Sequence, residues 1–504
     1  MDRRSKRGMG VSRKTRYNAR RRRSRSQRFV ILAALSLALL ASARVYSIVA
    51  DPELSPAAIA TLTALPAVPQ ETQVPTASAQ VIETATPGTP TVTPTERPPI
   101  LYYTQAGDTL QALAVRFGVQ KSEITSPEPL AENGLFDPGQ LLLIPQRLGQ
   151  TTSDRQVMPD SEVVNSPSAV DFNIQEFVSN AGGYLSTFQE YLGSTGWTSG
   201  ADIVARVALE NSVNPRLLLS LLEYQSHWVY GKPTNLAETD YPMGFVELDK
   251  KGLYQQLTWA MQQLSEGYYG WREGRLTELT FTDDSKLRLA PSLNAGTAAL
   301  YYFFSRMDNP DLTNNALYGD QGLLAQHTYM FDNPWVRAQT VEPLFPATSV
   351  QPDLILPFVR NQIWSYSGGP HAAWNAEGAR AALDFAPASL ENGCVKSNAW
   401  AVAAASGLVV RSGTGLVVID MDGDGHEQTG WVLLYLHIAT EGRIPAGTHV
   451  EAGNPIGHPS CEGGFATGTH IHIARKFNGE WIMADGPMPF NLSGWIAHAG
   501  ANPY

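Results

Sequence analysis

The pattern of apolar and polar positions divides the chain into segments of different character. Residues 29–50, FVILAALSLALLASARVYSIVA, are almost entirely apolar, and about twenty such residues can cross a bilayer as a helix. Residues 51–100 are rich in Pro and Thr without apolar periodicity, which predicts an extended, solvated linker. Residues 171–345 carry amphipathic runs such as NPRLLLSLLEYQSHWV and are predicted to be mostly helical. Residues 346–504 are predicted to be β, with short runs such as GLVVRSG, WVLLYLHIA and THIHIARK between turns rich in Gly and Asp.

Residues 101–147 have the pattern of a small module with a strand at each end. The run TLQALAVRF places apolar residues at helical spacing, and Asp108 and Thr109 are candidate N-caps for that helix. The segments YTQAGDTLQALAVRFGV and LFDPGQLLLIP resemble the two halves of a LysM module. This resemblance implies a βααβ fold that binds glycans containing N-acetylglucosamine, with Gly107, Asp108 and Thr109 as candidate contacts. The stretch TSPEPLAEN departs from the second helix of that family because it contains two prolines, and a spacer module without glycan binding is the alternative.

The charge of the chain is unevenly distributed. Residues 1–28 hold thirteen of the 37 Lys and Arg but only one of the 47 acidic residues, so the remainder carries −22. A basic flank before an apolar span favours a cytoplasmic N-terminus and a membrane anchor at 29–50, with the bulk of the chain outside the cytoplasm. A cleaved signal peptide, which would release a secreted protein, is the alternative. We expect the basic segment to orient the anchor or contact anionic lipid, and we expect no nucleic-acid partner.

The two cysteines of the chain, Cys394 and Cys461, both lie in the predicted β region. In the oxidising environment of an exported protein they are expected to form a disulfide. The alternative is a pair of unrelated buried thiols.

The predicted helical region resembles, distantly, the lysozyme-like lytic transglycosylases. The segments VALENSVNPRLLLSLLEYQSHW and APSLNAGTAALYYFF carry this resemblance. The catalytic glutamate of those enzymes directly precedes a serine, but here Gln225 precedes Ser226, and an amide cannot act as a general acid. Either Glu223 has taken over as a catalytic acid, or this domain only faces glycan or acts as a spacer, which we favour.

Histidines and one aspartate in the β region are candidates for a metal site. His470 and His472 face one side of the predicted strand THIHIARK, and the alternating isoleucines face the other. Asp384 lies within an apolar run, so it is expected to be buried and to need a partner, and a metal is one. A hydrolytic zinc site needs three protein ligands and an open position, and further histidines such as His371 or His437 could bind metal or transfer protons.

Four motifs in this region resemble those of lysostaphin- or LytM-type zinc endopeptidases, and in particular the β-lytic subgroup. The resemblance covers about residues 360–485. It implies zinc held by His371, Asp384 and His472, with His437 and His470 as an acid/base pair. The motifs are GGPH (368–371), LDF (383–385), YLH (435–437) and CEGGFATGTHIH (461–472).

The run DMDGDGHEQTG (420–430) is similar to a calcium-binding loop but has Trp431 where that loop has its twelfth-position glutamate, so we favour an acidic hairpin turn.

These patterns predict a membrane-anchored multidomain α+β protein. The function that the family resemblances imply is zinc-dependent hydrolysis of peptide bonds in the stems or cross-bridges of peptidoglycan. The alternatives are an inert peptidoglycan-binding scaffold or activator, and glycan cleavage through Glu223. The predicted segments are a basic cytoplasmic segment (1–28), a transmembrane anchor (29–50), a linker (51–100), a LysM module (101–147), a second polar linker (148–170), a helical lysozyme-like domain (171–345) and a zinc metallopeptidase domain with an antiparallel sheet (346–504).

Overall fold

The structure, a computed structural model, describes residues 97–500. The predicted cytoplasmic segment, the anchor at 29–50 and nearly all of the linker at 51–100 lie outside the described residues. Across the part that is described, no helix combines the length and the apolar character needed to cross a membrane.

The N-terminal module (residues 101–147) forms around one helix. Strand β1 (Ile100–Tyr103) pairs antiparallel with β2 (Leu141–Ile144), and helix α1 (Leu110–Phe117) lies between them in the chain. The side chain of Thr109 caps α1 by accepting a hydrogen bond from the amide of Ala112. The second helix of the expected βααβ pattern is reduced to a 3₁₀ turn at Lys121–Glu123, since Pro127 and Pro129 each lack an amide donor and restrict the residue before them.

The helical unit (residues 151–345) contains the longest of the described helices, α7 (Leu253–Arg272). It also includes two short β-hairpins that the sequence pattern did not predict. Its other helices are α2 (Ile174–Ala181), α3 (Tyr184–Thr187), α4 (Gly200–Asn211), α5 (Pro215–Ser226), α6 (Leu236–Asp240), α8 (Ala295–Ser305), α9 (Pro310–Tyr318), α10 (Leu323–Phe331) and α11 (Pro334–Ala338), with 3₁₀ turns at Asp160–Glu162, Pro167–Ala169 and Leu248–Lys250. The hairpins are β3 (Gln189–Leu192) with β4 (Gly196–Ser199) and β5 (Glu278–Thr280) with β6 (Lys286–Arg288).

The segment predicted as a second polar linker, 148–170, is mostly part of this unit. Val157 and Met158 are fully buried in its core, and Val163 and Val164 are nearly so. The linker prediction was therefore wrong for most of the segment, because four apolar residues spaced among polar ones find a core to pack against.

The sheet domain (residues 346–500) is built on an eight-stranded antiparallel sheet. The strands of this domain are β7 (Trp364–His371), β8 (Ala382–Pro387), β9 (Ala401–Val402), β10 (Gly407–Gly413), β11 (Leu416–Asp420), β12 (Trp431–Leu436), β13 (His449–Val450), β14 (Pro455–Gly457), β15 (Ile471–Phe477), β16 (Glu480–Trp481), β17 (Asn491–Leu492) and β18 (Trp495–Ile496). Along the main path of the sheet the order is β13–β10–β11–β12–β15–β8–β7, and β16 pairs with the end of β15.

Both faces of this sheet are buried, and each face belongs to a different core. On β12, Leu433 and Tyr435 pack into the core of the sheet domain itself. The alternate residues, among them Leu434, pack into the core of the helical unit. On β15, Ile471 and Ile473 pack into the core of the sheet domain, as expected, whereas Ala474 packs into the core of the helical unit. Because His472 is two residues before Ala474 and shares its face of the strand, the helical unit covers the histidine face of the sheet.

Helix α7 joins the three parts at its C-terminal end. The Arg272 guanidinium lies 2.8 Å from an Asp160 carboxylate oxygen and 3.1 Å from Glu480 of the sheet domain, and it also donates to the carbonyl of Ala106. Arg116 of the N-terminal module donates to the carbonyl of Trp271 at 2.9 Å. Both cations lie where the dipole of α7 favours positive charge.

Candidate metal centre

The pairing register of the sheet brings Asp384 and His472 together. Asp384 on β8 lies directly opposite His472 on β15. On the other side of β8, the pairing with β7 shifts register between Gly368 and His371, and this irregularity turns the His371 side chain toward the same point. A Cβ at position 368 would lie 2.6 Å from Asp384 Oδ2, so the close approach of the two strands requires a glycine there.

Three potential ligand atoms converge at this point. Asp384 Oδ1 lies 3.3 Å from His371 Nε2 and 3.3 Å from His472 Nδ1, and the two nitrogens are 3.0 Å apart. Ligands bound to zinc at about 2.0–2.2 Å in tetrahedral geometry are separated by roughly 3.3–3.6 Å. Within the described residues, Asp384 Oδ1 is buried and has no hydrogen-bond partner. Two imidazoles and one carboxylate at these separations fit a zinc ion.

The far nitrogen of each imidazole is held by a backbone carbonyl. His371 Nδ1 lies 2.8 Å from the Gly369 carbonyl, and His472 Nε2 lies 3.1 Å from the Ala373 carbonyl. We assign the ring protons to these nitrogens because a carbonyl can only accept. The lone pairs of the other nitrogens then face Asp384, an arrangement that a cation stabilises.

The charges of the three groups are linked. Burial disfavours the ionised form of Asp384, but His371 and His472 outweigh burial when the nitrogens that face the carboxylate are protonated, and they then hold the pKa of Asp384 well below its usual range. Burial opposes the charge on His371 as well, yet Asp384 raises the pKa of that imidazole. For His472 burial prevails and lowers the pKa. A carboxylate whose ionised form is favoured, placed between two imidazoles, is a suitable electrostatic environment for a divalent cation.

A second pair of histidines lies beside the three candidate ligands. The rings of His437 and His470 are 4.4 Å apart, and His470 Nε2 lies 3.6 Å from Asp384 Oδ2. The Nδ1 atoms contact the carbonyls of Glu462 and Gly468 at 2.9 and 2.8 Å, which leaves both Nε2 atoms available. Burial, followed by repulsion from His470, lowers the pKa of His437 to about 4, so this imidazole is neutral near pH 7 and can accept a proton.

All five of these side chains line a cleft of about 910 Å³. One wall of this cleft is formed by the helical unit, through the turn of the β3–β4 hairpin, helix α4 and the start of α7. The sequence pattern did not predict this contribution, because these residues lie more than a hundred positions before the metal cluster and carry no recognisable motif. The helical-unit residues are Ser194, Thr195, Arg206, Glu210 and Tyr254.

The expected disulfide between Cys394 and Cys461 is present, with the two Cα atoms 5.8 Å apart. It ties the loop around Gly393 to the segment that leads into β15. The amide of Thr469, next to His470, donates to the Gly393 carbonyl at 3.1 Å. The disulfide therefore supports one border of the cleft.

The other predicted site residues lie apart from the metal cluster. Of the three candidate glycan contacts, Gly107 and Asp108 are buried and Thr109 is partly exposed. The Asp108 carboxylate forms an ion pair with Arg116 at 2.7 Å. Glu223 is also buried, and its Oε2 accepts hydrogen bonds from the amides of Val229 and Tyr230 at 2.7 and 3.0 Å. Its carboxylate thus caps the loop after α5, which does not favour a role as a catalytic acid.

The acidic run at 420–430 forms the turn between β11 and β12. Carboxylate oxygens of Asp420, Asp422 and Asp424 lie within 4.8 Å of one another. Their side chains accept hydrogen bonds from nearby amides, including Gly425 to Asp420 at 2.8 Å and His426 to Asp424 at 2.8 Å. These contacts are those of an acidic hairpin turn.

Comparison with known proteins relates the chain to LasA. A family described as "LasA, N-terminal domain" matches residues 156–344, which fall within the helical unit. Protease LasA of Pseudomonas aeruginosa strain PAO1 is 27% identical over 293 residues, covering 55% of this chain and 65% of the relative. The sequence from strain UCBPP-PA14 is 26% identical over the same length. The lysozyme-like character of the helical unit stays a prediction.

Solved structures overlap a smaller part of the chain. The M23 metalloprotease pseudoalterin is 26% identical with a TM-score of 0.22, covering 27% of this chain and 75% of that one. Lysostaphin from Staphylococcus simulans is 20% identical with a TM-score of 0.20, covering 27% of this chain and 53% of that one. The chain spans about 65% of the length of its curated relatives. It is thus LasA-like over about half of its own length, and the part matched by the LasA family is the helical unit.

Proposed function

We propose that the protein is a zinc-dependent endopeptidase that hydrolyses peptide bonds in the stems or cross-bridges of peptidoglycan. The observation that carries this proposal is the convergence of His371 Nε2, Asp384 Oδ1 and His472 Nδ1, at 3.0–3.3 Å from one another, on the wall of an open cleft. Similarity to a protease over 55% of the chain supports it.

In the proposed mechanism each group of residues has a separate task. His371, Asp384 and His472 would hold the zinc ion, which when bound polarises a carbonyl and lowers the pKa of water at its open position. His437, neutral near pH 7, accepts a proton through Nε2. His470 shares proton transfer with His437 and stabilises the negative charge that develops on the scissile carbonyl oxygen.

The choice of peptidoglycan rests on the predicted glycan-binding module and on the similarity to LasA. A module that binds glycan would raise the local concentration of attached peptides around the cleft without adding a catalytic contact. We also propose that the apolar span at 29–50 keeps the catalytic part outside the cytoplasm, at the membrane, where peptidoglycan lies.

The proposal is tested by digesting purified peptidoglycan with the full chain and analysing the products by mass spectrometry. The expected products are new free amines, which disappear with a chelator, return when zinc is added and are absent in His472→Ala. His449→Ala serves as the matched control, since this histidine is exposed on β13, and it should retain activity. Binding of peptidoglycan without any products would contradict the endopeptidase and leave a binding scaffold.

A further inference from the structure

Two large aromatic side chains lie exposed on the β3–β4 hairpin. Tyr191 is 65% and Trp197 is 72% exposed. They lie directly opposite each other in the pairing of the two strands and therefore share one face of the hairpin. Their ring centroids are 5.9 Å apart at an interplanar angle of 76°, so the two rings form a corner with an open aromatic surface.

The hairpin is held in place by its other residues and does not need these rings for packing. Leu192 is buried in the core of the helical unit. A Glu190 carboxylate oxygen accepts a hydrogen bond from the Tyr254 amide at 3.1 Å, and Arg206 Nη1 donates to Ser194 Oγ at 2.7 Å. The position of the aromatic pair is therefore set before any ligand binds, which reduces the entropy lost on binding.

The aromatic pair lies next to the candidate catalytic cleft. Leu192 and Gly196 form the last cross-strand pair before the turn, and Tyr191 and Trp197 form the pair before that. Successive pairs along a hairpin are about 3.3 Å apart, so the aromatic pair lies close to the turn. The turn beyond them contributes Ser194 and Thr195 to the same cleft wall that faces the histidine cluster.

We propose that Tyr191 and Trp197 form a carbohydrate-binding platform that holds the glycan strand while its attached peptide enters the cleft. This inference rests on the proposed peptidase function and adds the part of the substrate that is held outside the catalytic cluster. The apolar C–H face of a pyranose ring stacks on an aromatic ring, and the phenol and indole N–H hydrogen-bond to sugar hydroxyl or acetamido groups.

The neighbourhood of the pair favours a sugar over a protein partner. The surrounding side chains of the hairpin are mostly hydroxyls and an amide, and Thr195 and Thr198 hydrogen-bond to each other at 2.7 Å. A stable protein interface buries about 800 Å² on each partner around a continuous apolar centre, whereas two rings bordered by polar groups offer a much smaller apolar patch. Gln189 lies two residues before Tyr191 on the same face of the hairpin, and its exposed side-chain amide can hydrogen-bond to the rim of a sugar.

The first test measures binding of glycan strands that have been freed of their peptides, by calorimetry with the full chain. The isotherm is fitted with two sites, because the predicted module at 101–147 is a second glycan binder, and the Kd values below are those of the hairpin site. Trp197→Ala and Tyr191→Ala are each expected to raise Kd about five- to ten-fold, and Trp197→Phe should recover most of the affinity. Trp495→Ala is the matched control, because Trp495 is 74% exposed on the separate β17–β18 hairpin, and its Kd should change less than two-fold. Unchanged binding in both hairpin variants, or an equal loss in the control, would overturn the proposal.

The second test compares two substrates of the wild type and Trp197→Ala. On intact peptidoglycan we expect KM to rise about five- to ten-fold while kcat is unchanged, and on a cross-linked peptide without sugar we expect no effect on either constant. An equal effect on both substrates would overturn the platform and would indicate a structural role of the hairpin. If the wild type cleaves neither substrate, the peptidase proposal fails, and the calorimetric titration still decides whether the hairpin binds glycan.

Discussion

Asp384 lies directly opposite His472 across the pairing of β8 with β15, and this register brings its Oδ1 within 3.3 Å of His472 Nδ1. A slip of one residue would turn the carboxylate to the other face of the sheet, where Ile471 and Ile473 are packed. The pairing register of β8 with β15 therefore sets the distance between these two ligand atoms. Burial of both faces of the sheet disfavours a change of that register.

The closeness of β7 to Asp384 predicts that Gly368→Ala weakens zinc binding. The added Cβ would lie 2.6 Å from Asp384 Oδ2 and would displace the carboxylate, for an expected loss of about 10- to 100-fold in affinity. The matched control is Gly369→Ala, whose Cβ would meet no atom nearer than 3.6 Å. Competition with a chromogenic chelator measures both variants, and equal affinities would contradict the assigned role of Asp384.

His437 is predicted to act on protons without holding the metal. His437→Ala should lower kcat by about 10²- to 10⁴-fold while the zinc content stays at the wild-type level. Peptide-hydrolysis kinetics and metal analysis of the same preparation test this expectation. Loss of zinc from the variant would instead make His437 part of the metal-binding set.

Arg272 is predicted to stabilise the contact between the three parts of the chain. Its side chain is 5% exposed and pairs with Asp160 and Glu480, so Arg272→Ala leaves buried carboxylates without their partner. We expect a loss of about 3–5 kcal/mol in the free energy of unfolding, measured with urea.

Arg275 supplies the comparison for this substitution, because it lies three residues further on and pairs with Glu266 and Glu273 in a more exposed position. Arg275→Ala should cost less than about 1 kcal/mol. Similar losses in both variants would show that Arg272 has no special part in joining the sheet domain to α7.

The stability of the fold is predicted to fall in acid through Glu427. Burial disfavours its charge, but Arg411 and Lys476 outweigh this and lower the pKa of Glu427 to about 2. Because the folded pKa lies below the unfolded value of about 4.5, the stabilisation is present above pH 4.5 and is lost as the pH falls toward 2. The loss is on the order of 3 kcal/mol.

Urea unfolding at pH 7, 4 and 3 tests this dependence. Glu427→Gln should be less stable than the wild type at pH 7 and should lose less stability on acidification, whereas Glu451→Gln, at an exposed position, should follow the wild type. If Glu427→Gln retains the wild-type slope between pH 4 and 3, other groups dominate the acid sensitivity.

Several strands of the sheet could be predicted from the chain because their pattern is local. GLVVRSG corresponds to β10, and the runs around 416–420, 431–436 and 471–477 correspond to β11, β12 and β15. Strands β7 and β8 were not predicted as strands, because two glycines and a proline interrupt the first and an apolar run without alternation forms the second. The linker prediction at 148–170 failed for a related reason. Its few valines have no helical or strand periodicity, and their burial depends on contacts with the core of the helical unit, which is distant in the sequence.

The sequence by itself determined the chemistry that is available: which histidines and which aspartate could bind zinc, which cysteines could pair and which side chains alternate along each strand. Those features depend on residue type and on spacings of a few positions. The tertiary structure alone decided that the helical unit covers the histidine face of the sheet, that its β3–β4 hairpin borders the cleft and that Asp108 and Glu223 serve internal contacts. These outcomes depend on contacts between residues that are far apart in the chain, and their free energy exists only once the separate parts have packed together.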